Sequence, residues 1–206
     1  MKRIKVLIAD DHTIVRIGLK ALFAGEADLE VVGEARNGVE AVKTALETHP
    51  DVVIMDLQMP KKDGVEATRE LAEKLPSAAV AILTTYGTSD GIAHALQAGA
   101  RGAMLKTADD ARLVSAIRRI AAGEEYVSPD IRKLLADDPP VPELTARQQE
   151  ILQSLTTGLT NKEIAQQLGI RRDSVEDHIN AIRAKLGAAN RTEAVAIALR
   201  KHLLKI

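Results

Sequence analysis

Five polar residues that could carry phosphoryl chemistry are spread over the first 106 positions of this 206-residue chain: Asp10, Asp11, Asp56, Thr84 and Lys106. Carboxylates held close together repel each other, which raises at least one pKa unless a cation lies between them. Mg²⁺ suits such a site because it binds one or two carboxylates together with waters and phosphate oxygens. A carboxylate oxygen of Asp56 could then attack phosphorus and form an acyl phosphate, while Lys106 and the Thr84 hydroxyl hold the phosphoryl oxygens.

These residues can meet only if a parallel sheet positions them. Short β-rich runs are predicted at residues 4–9, 30–33, 52–55, 80–84 and 102–106, and helices at 14–23, 38–48, 65–75, 89–98 and 108–122. This alternation predicts an α/β fold, a doubly wound five-stranded parallel sheet covered on both faces. All five polar residues then lie at carboxyl ends of strands, where such folds form their functional crevice.

The rest of the chain is predicted to be a linker and a second domain. Residues 123–142 are rich in acids and end in Asp137-Asp138-Pro139-Pro140-Val141-Pro142, so they are predicted to be a linker. Capping boxes begin two helices, at Thr145 and Thr160, and further helices are predicted at 173–186 and 192–204. Residues 143–206 therefore form a small all-α four-helix domain, mildly basic with 10 basic and 7 acidic residues.

Composition excludes several classes of function. The chain has no cysteine, which excludes disulfides, thiolate metal sites and thiol catalysis. The apolar run after Met1-Lys2-Arg3 is far too short for a signal peptide or a membrane span. We therefore expect a cytoplasmic protein that does not interact with a membrane.

Taken singly, each polar residue at a strand end has an ordinary structural interpretation. Acids after strands often cap the next helix, and a lysine at a strand end is commonly just solvated. The functional interpretation depends on the whole set and on its surrounding motifs. These are Ile8-Ala9-Asp10-Asp11-His12, Met55-Asp56-Leu57-Gln58-Met59-Pro60, Asp63-Gly64, Leu83-Thr84-Thr85 and Leu105-Lys106.

Together these motifs resemble the flavodoxin-like receiver domain of two-component response regulators, in a domain spanning residues 1–122. The resemblance implies that Asp56 is the phosphoacceptor for a sensor histidine kinase. It also implies that Asp11 and Asp56 bind Mg²⁺ directly, that Asp10 binds it through water, and that the Gln58 carbonyl completes the protein ligands. Thr84 would be the switch hydroxyl and Lys106 the paired cation.

One position departs from the receiver pattern. Three residues before Lys106, where receivers usually carry an aromatic that moves with the switch hydroxyl, the chain has Ala103. An alanine has no side-chain rotamer to switch. We therefore expect backbone and helix shifts to carry the phosphorylation signal, with weak coupling between the two states.

The C-terminal domain resembles the LuxR/NarL-type helix-turn-helix family. The motifs are Leu144-Thr145-Ala146-Arg147-Gln148-Gln149-Glu150-Ile151-Leu152, Gly158-Leu159-Thr160-Asn161-Lys162-Glu163-Ile164-Ala165, Lys185-Leu186-Gly187 and Asn190-Arg191-Thr192. The resemblance implies that the third helix enters the major groove of double-stranded DNA and that the fourth can pair protomers. Phosphate contacts would come from Thr160, Asn161, Lys162, Arg183, Lys185 and Arg191.

The resemblance implies that the third helix faces the groove through Glu176, Asp177 and Asn180, which makes the reading positions unusually acidic. Ser174 and His178 are further candidate DNA-binding residues on this helix, and His178 is expected to pack or to contact backbone rather than to read a base. Carboxylates can accept a hydrogen bond from cytosine N4, but they also repel phosphate. Arg171 also replaces the usual serine cap, and Asp173-Ser174-Val175-Glu176 offers a shifted capping box, which gives Glu176 an alternative structural role. We expect DNA binding that is weaker, or more dependent on phosphorylation, than is usual for this class.

The preferred function is a transcriptional regulator, without enzymatic turnover, in which phosphorylation of Asp56 favours a homodimer that binds paired half-sites. A second hypothesis keeps the phosphorylation switch but has the acidic helix bind a protein instead of DNA. A third is a metal-dependent phosphohydrolase using the same carboxylates. That enzyme would need a substrate pocket and a lid, for which the short loops leave little chain.

Overall fold

The computed structural model describes residues 3–85, 89–201 and 203. The chain divides into two compact units, Met1–Pro139 and Pro140–Ile206. Among the described residues, no helix combines the length and the apolar character needed to cross a membrane.

The first unit is a parallel sheet with helices on both faces. Its strands are hydrogen-bonded in the order β2-β1-β3-β4-β5-β6. The described elements in chain order are β1 (Ile4–Ala9), α1 (Thr13–Ala24), β2 (Leu29–Ala35), α2 (Gly38–Thr48), β3 (Val52–Met55), α3 (Gly64–Lys74), β4 (Ala79–Thr84), α4 (Ser89–Gln97), β5 (Gly102–Leu105), α5 (Asp110–Ala121), β6 (Tyr126–Val127) and α6 (Pro129–Asp137). The doubly wound α/β class is confirmed, but the sheet has six strands where five were predicted.

Continuous aliphatic strands produce this architecture because both faces of the sheet are covered. Alternate residues of a strand point to opposite faces, and in β3 Val53 and Met55 enter one core cluster while Val52 and Ile54 enter the other. Helices α2, α3 and α4 cover the first cluster, and α1 and α5 cover the second. The carboxyl ends of the central strands are therefore fixed by burial on both sides.

Most of the segment predicted to be a linker, residues 123–142, is folded into a strand and a helix. Tyr126 and Ser128 donate backbone hydrogen bonds to the carbonyls of Arg101 and Ala103, at 2.9 and 3.0 Å, and so extend the sheet. Ser128 caps α6, whose Ile131 is fully buried in the first core cluster. A two-residue strand gives almost no sequence signal, and the prolines that suggested a linker fall only at its end. The first compact unit accordingly extends to Pro139.

The second unit is a four-helix domain, as predicted. Its helices are α7 (Ala146–Thr156), α8 (Asn161–Leu168), α9 (Arg172–Leu186) and α10 (Arg191–Arg200). The capping boxes at Thr145 and Thr160 are both present, and Gly169 and Gly187 end α8 and α9 with φ of 64° and 65°.

The shifted capping box predicted at Asp173 to Glu176 is wrong. Helix α9 begins at Arg172, and its N-cap Arg171 makes no side-chain capping bond, so Glu176 lies in the second turn rather than in a cap. Helix α10 ends at Arg200, so Lys201 and Leu203 are not helical, contrary to the prediction, while the predicted end at 204 lies outside the described residues.

Candidate functional site

The carboxyl ends of four strands form one rim of the sheet. Ala9 of β1 pairs with Met55 of β3, so Asp10 and Asp56 are adjacent when the two strands end. The Asp56 amide donates to the Ala9 carbonyl at 2.8 Å, and the Lys106 amide donates to the Thr84 carbonyl at 2.8 Å. Strand pairing therefore brings together residues that are far apart in sequence. We call Asp10, Asp11, Asp56, Thr84 and Lys106 the rim residues.

A buried ammonium group joins two of the carboxylates. Lys106 Nζ lies 2.6 Å from Asp10 Oδ2 and 2.8 Å from Asp56 Oδ2, and these three side chains are 6%, 3% and 4% exposed. Burial raises the pKa of Asp56, although Lys106 opposes that shift. Burial lowers the pKa of Lys106, but hydrogen bonds to Asp10 and Asp56 outweigh it, and the net pKa is raised. The Lys106 amine therefore stays charged, and its positive charge stabilises the two buried carboxylates.

Asp11 completes a group of side chains that could hold a cation. One ligand atom from each of Asp10, Asp11, His12 and Asp56 lies within 4.8 Å of the others. Three of these ligands are carboxylates, and Mg²⁺ prefers oxygen, so the donor set fits this ion through its acids. The ring Nδ1 of His12 lies 2.7 Å from Asp11 Oδ1, so the histidine pairs with a carboxylate of the site.

Other predicted positions lie around this group. The Thr84 side chain is buried at the end of β4, and Gln58 is exposed in the loop between β3 and α3. Ala103 is fully buried on β5, where it shares a core cluster with Ile131 of α6. Helix α6 was not predicted, because residues 123–142 were interpreted as a linker.

Two residues near the carboxylates were missed by sequence reasoning. His12 follows the two acids directly, and its place in the run Asp10-Asp11-His12 was a usable signal. Arg16 is buried behind the same loop and donates to the backbone carbonyls of Asp10 and Asp11. An arginine among helical residues gives no such signal by itself.

In the second unit, the N-terminus of α8 presents the first set of predicted phosphate contacts. Thr160 is the N-cap, Lys162 is exposed and Asn161 is partly buried. The Arg191 guanidinium donates to the Leu159 carbonyl and to Asn161 Oδ1, the latter at 3.4 Å. Arg191 therefore secures the turn that precedes α8.

The other two predicted phosphate-binding cations also have contacts within their own domain. Lys185 Nζ donates to the Glu143 carbonyl at 2.7 Å and to Gln148 Oε1 at 2.9 Å. Arg183 donates to the Ala189 carbonyl, whereas its Nε is buried without a hydrogen-bond partner. These contacts give both residues a structural role in addition to any contact with phosphate.

The outer face of α9 carries most of the predicted reading residues. Glu176, Asp177 and Asn180 are exposed, and Ser174 and His178 are partly buried. Val175, Ile179 and Ile182 point into the helical core and fix which face remains outside. The exposed face of α9 therefore includes two adjacent acids, Glu176 and Asp177.

Comparison with known proteins identifies the class. Residues 6–118 match the response regulator receiver domain, and residues 142–198 match the LuxR family of bacterial regulatory proteins. The chain belongs to the two-component response regulators that carry a LuxR-type DNA-binding domain. It is a DNA-binding two-component response regulator.

Relatives of full length support this assignment. The chain is 38% identical to the transcriptional regulatory protein LiaR of Bacillus subtilis, over 98% of this chain and 99% of LiaR. It is 37% identical to the oxygen regulatory protein NreC of Staphylococcus carnosus, over 97% of this chain and 99% of NreC. The crystal structure of ChrA, a response regulator of a heme-sensing system, aligns with a TM-score of 0.60, 37% identity and coverage of 99% and 100%.

Proposed function

We propose that Asp56 of this response regulator accepts a phosphoryl group from a sensor histidine kinase, the usual partner of the family. The observation that supports this most directly is the pairing of the buried Asp56 carboxylate with Lys106, beside Asp10. A carboxylate oxygen of Asp56 forms a bond to phosphorus as the bond to the donor's leaving group breaks, giving an acyl phosphate.

The other rim residues hold the group that is transferred. Lys106 exchanges a carboxylate partner for a phosphoryl oxygen, so its charge stays paired after phosphorylation. The Thr84 hydroxyl donates to a second phosphoryl oxygen from the end of β4. Asp10, Asp11, Asp56 and the Gln58 carbonyl would hold Mg²⁺, which when bound neutralises negative charge on the phosphoryl donor.

The output is increased binding of double-stranded DNA by the LuxR-type domain. Phosphorylation favours a homodimer, and two linked domains on paired half-sites bind with greater avidity than one. The exposed N-terminus of α8, with Thr160 and Lys162, contacts phosphate, and the outer face of α9 contacts base edges. The regulator works in the cytoplasm and catalyses no turnover of an external substrate.

Mass measurement and size determination test acceptor and output together. After treatment with acetyl phosphate and Mg²⁺, the wild-type chain should gain the mass of one phosphoryl group and shift toward a dimer. Asp56→Ala should do neither, whereas Glu73→Ala, which removes an exposed carboxylate near the other end of α3, should behave as wild type. An unchanged wild-type mass, or a mass gain that persists in Asp56→Ala, would refute the proposal.

The acidic outer face of α9 supports a second candidate output, in which this helix binds a protein. Gel shifts over a salt series separate the two outputs. DNA binding that releases counterions weakens steeply as salt rises, and its logarithmic slope reports the number of phosphates contacted. Absence of any salt-dependent shift with the phosphorylated chain would favour the protein-binding output.

A further inference from the structure

A buried arginine lies directly behind the metal-binding carboxylates. Arg16 occupies the core-facing side of α1 together with Leu19 and Phe23, and its side chain is 4% exposed. A guanidinium in such a position is tolerated only when hydrogen bonds replace its lost hydration. The hydrogen bonds of Arg16 therefore indicate its role in the structure.

Its strongest contacts are with the backbone of the acidic loop. Nη1 donates to the Asp10 carbonyl at 2.8 Å and to the Asp11 carbonyl at 3.3 Å, while Nη2 donates to Thr13 Oγ1 at 3.3 Å. One planar group thus joins two successive carbonyls and the first residue of α1. An arginine can do this because its donors form a rigid fork, and a lysine cannot.

A second anchor holds the guanidinium itself. Its Nε donates to Glu34 Oε2 at 3.3 Å, and Glu34 lies on β2, paired with Ile8 of β1. Lys20 Nζ donates to the other oxygen of the same carboxylate at 2.6 Å. A hydrogen bond from Lys20, supported by the weaker bond from Arg16, lowers the pKa of Glu34 despite some burial. Glu34 is therefore an anion that ties α1 to the neighbouring strand.

Fixing these carbonyls fixes where the acids point. The Asp10 and Asp11 carbonyls are engaged by Arg16, so the peptide groups between β1 and α1 cannot rotate freely. The Asp10 carboxylate is further held by the His12 amide at 2.8 Å and by Lys106. We propose that Arg16 is a positioning residue for Mg²⁺ binding, because it orients the loop that carries Asp10 and Asp11.

This inference rests on the proposed phosphoacceptor function, and it predicts a specific defect. Removal of a group that orients metal ligands typically lowers metal affinity by about 10-fold to 100-fold. We expect Arg16→Met to weaken Mg²⁺ binding at least about 10-fold and Arg16→Lys to weaken it less. Phosphorylation by acetyl phosphate should then need more Mg²⁺ but reach nearly the wild-type rate at saturation.

The experiment is a calorimetric Mg²⁺ titration of the full chain, with urea unfolding of each variant alongside. Lys20→Met is the matched control, because it removes the other cation that contacts Glu34 but leaves both carbonyl bonds intact. Its Mg²⁺ affinity should stay within about twofold of wild type, since Lys20 bonds to neither loop carbonyl and its removal leaves the bond from Arg16 to Glu34 in place. Glu34→Gln, which loosens the guanidinium without removing it, should weaken Mg²⁺ binding by a smaller factor than Arg16→Met.

The outcomes separate this inference from the function on which it depends. A folded Arg16→Met variant with wild-type or tighter Mg²⁺ affinity would overturn it, as would equal losses in Arg16→Met and Lys20→Met. Should Arg16→Met fail to fold, unchanged Mg²⁺ affinity in both Arg16→Lys and Glu34→Gln would overturn it instead. A wild-type chain that binds no Mg²⁺ and gains no phosphoryl mass would refute the proposed function itself.

Discussion

The rim residues and the outer face of α9 place charged groups in opposite ways. At the rim, Asp10, Asp56 and Lys106 follow three different strands and have nearly fully buried side chains, and Lys106 contacts both acids. On α9, Glu176 and Asp177 are neighbours in sequence and are exposed. The first arrangement depends on the whole sheet, and the second depends on a single helix.

This difference indicates what each region can do. Buried charges act strongly on one another because little water screens them, so removing one leaves the others in an unfavourable environment. Exposed charges are screened and act nearly independently. The rim is therefore suited to chemistry that needs fixed charges, and the α9 face is suited to contacts that change with little cost to folding.

The largest expected effect tests the dependence among buried charges. Lys106→Met should lower the free energy of unfolding by about 4 kcal/mol, because Asp10 and Asp56 are left buried without their cation. Lys162→Met, at an exposed position of α8, should change it by less than about 0.5 kcal/mol. Urea unfolding measures both. Added Mg²⁺ should stabilise Lys106→Met more than it stabilises wild type. Equal losses of stability in Lys106→Met and Lys162→Met would contradict the comparison.

A second prediction concerns how far the buried part of the receiver extends. Ile131→Ala in α6 should cost about 3 kcal/mol, because it leaves a cavity in the core cluster that also contains Ala103. Leu199→Ala should cost little, because that leucine is 55% exposed on α10. If urea unfolding shows no loss for Ile131→Ala, residues 129–137 behave as a linker after all.

A smaller effect is expected when charge is removed from α9. Glu176→Gln and Asp177→Asn should each raise affinity for nonspecific duplex DNA by about twofold, as expected for one charge about 10 Å from phosphate in water. Neither should change stability measurably. Lys162→Ala should lower affinity and reduce the salt slope by about 1. Gel shifts at several salt concentrations check these values. Lower DNA affinity in Glu176→Gln and Asp177→Asn would argue that the two carboxylates contact bases directly.

The smallest effect is a pH dependence of the α8 cap. Hydrogen bonds from the Thr160 side chain and backbone lower the pKa of Glu163 below its ordinary value of 4.5. The folded state binds this proton less readily than the unfolded state, so the stabilisation is complete above about pH 4.5 and is lost as pH falls through the folded value. Glu163→Ala should therefore lower stability at about pH 6 more than at about pH 3. Thermal unfolding followed by circular dichroism measures this, with Glu73→Ala as the control.

Much of the fold follows from local patterns in the sequence. Aliphatic runs separated by helical periodicity predict a parallel sheet, and the order of the chain then places Asp10, Asp56 and Thr84 at its carboxyl edge. The capping boxes at Thr145 and Thr160 are equally local, because their groups lie three residues apart. Such features need no knowledge of distant contacts.

Other features were decided only by tertiary structure. Residues 126–127 have almost no local signal, and they form β6 because the edge of β5 was available. The start of α6 does have a local signal, the Ser128 cap followed by Pro129, but the burial of this helix against the sheet depends on tertiary packing. Lys185 and Arg191 look like free cations in sequence but donate to groups 37 and 30 residues away. Arg16 lies behind two carboxylates only because α1 packs on the sheet at that point.

The sequence by itself determined which residues carry the charges, the order of strands and helices through α5 and in the second unit, and where most helices begin. Tertiary structure decided which charges are buried together, which cations are already engaged, and where the first unit ends. The physical reason is the range of the forces involved. Caps and periodicity act within a few residues, whereas burial and ion pairing depend on which surfaces meet when the chain packs.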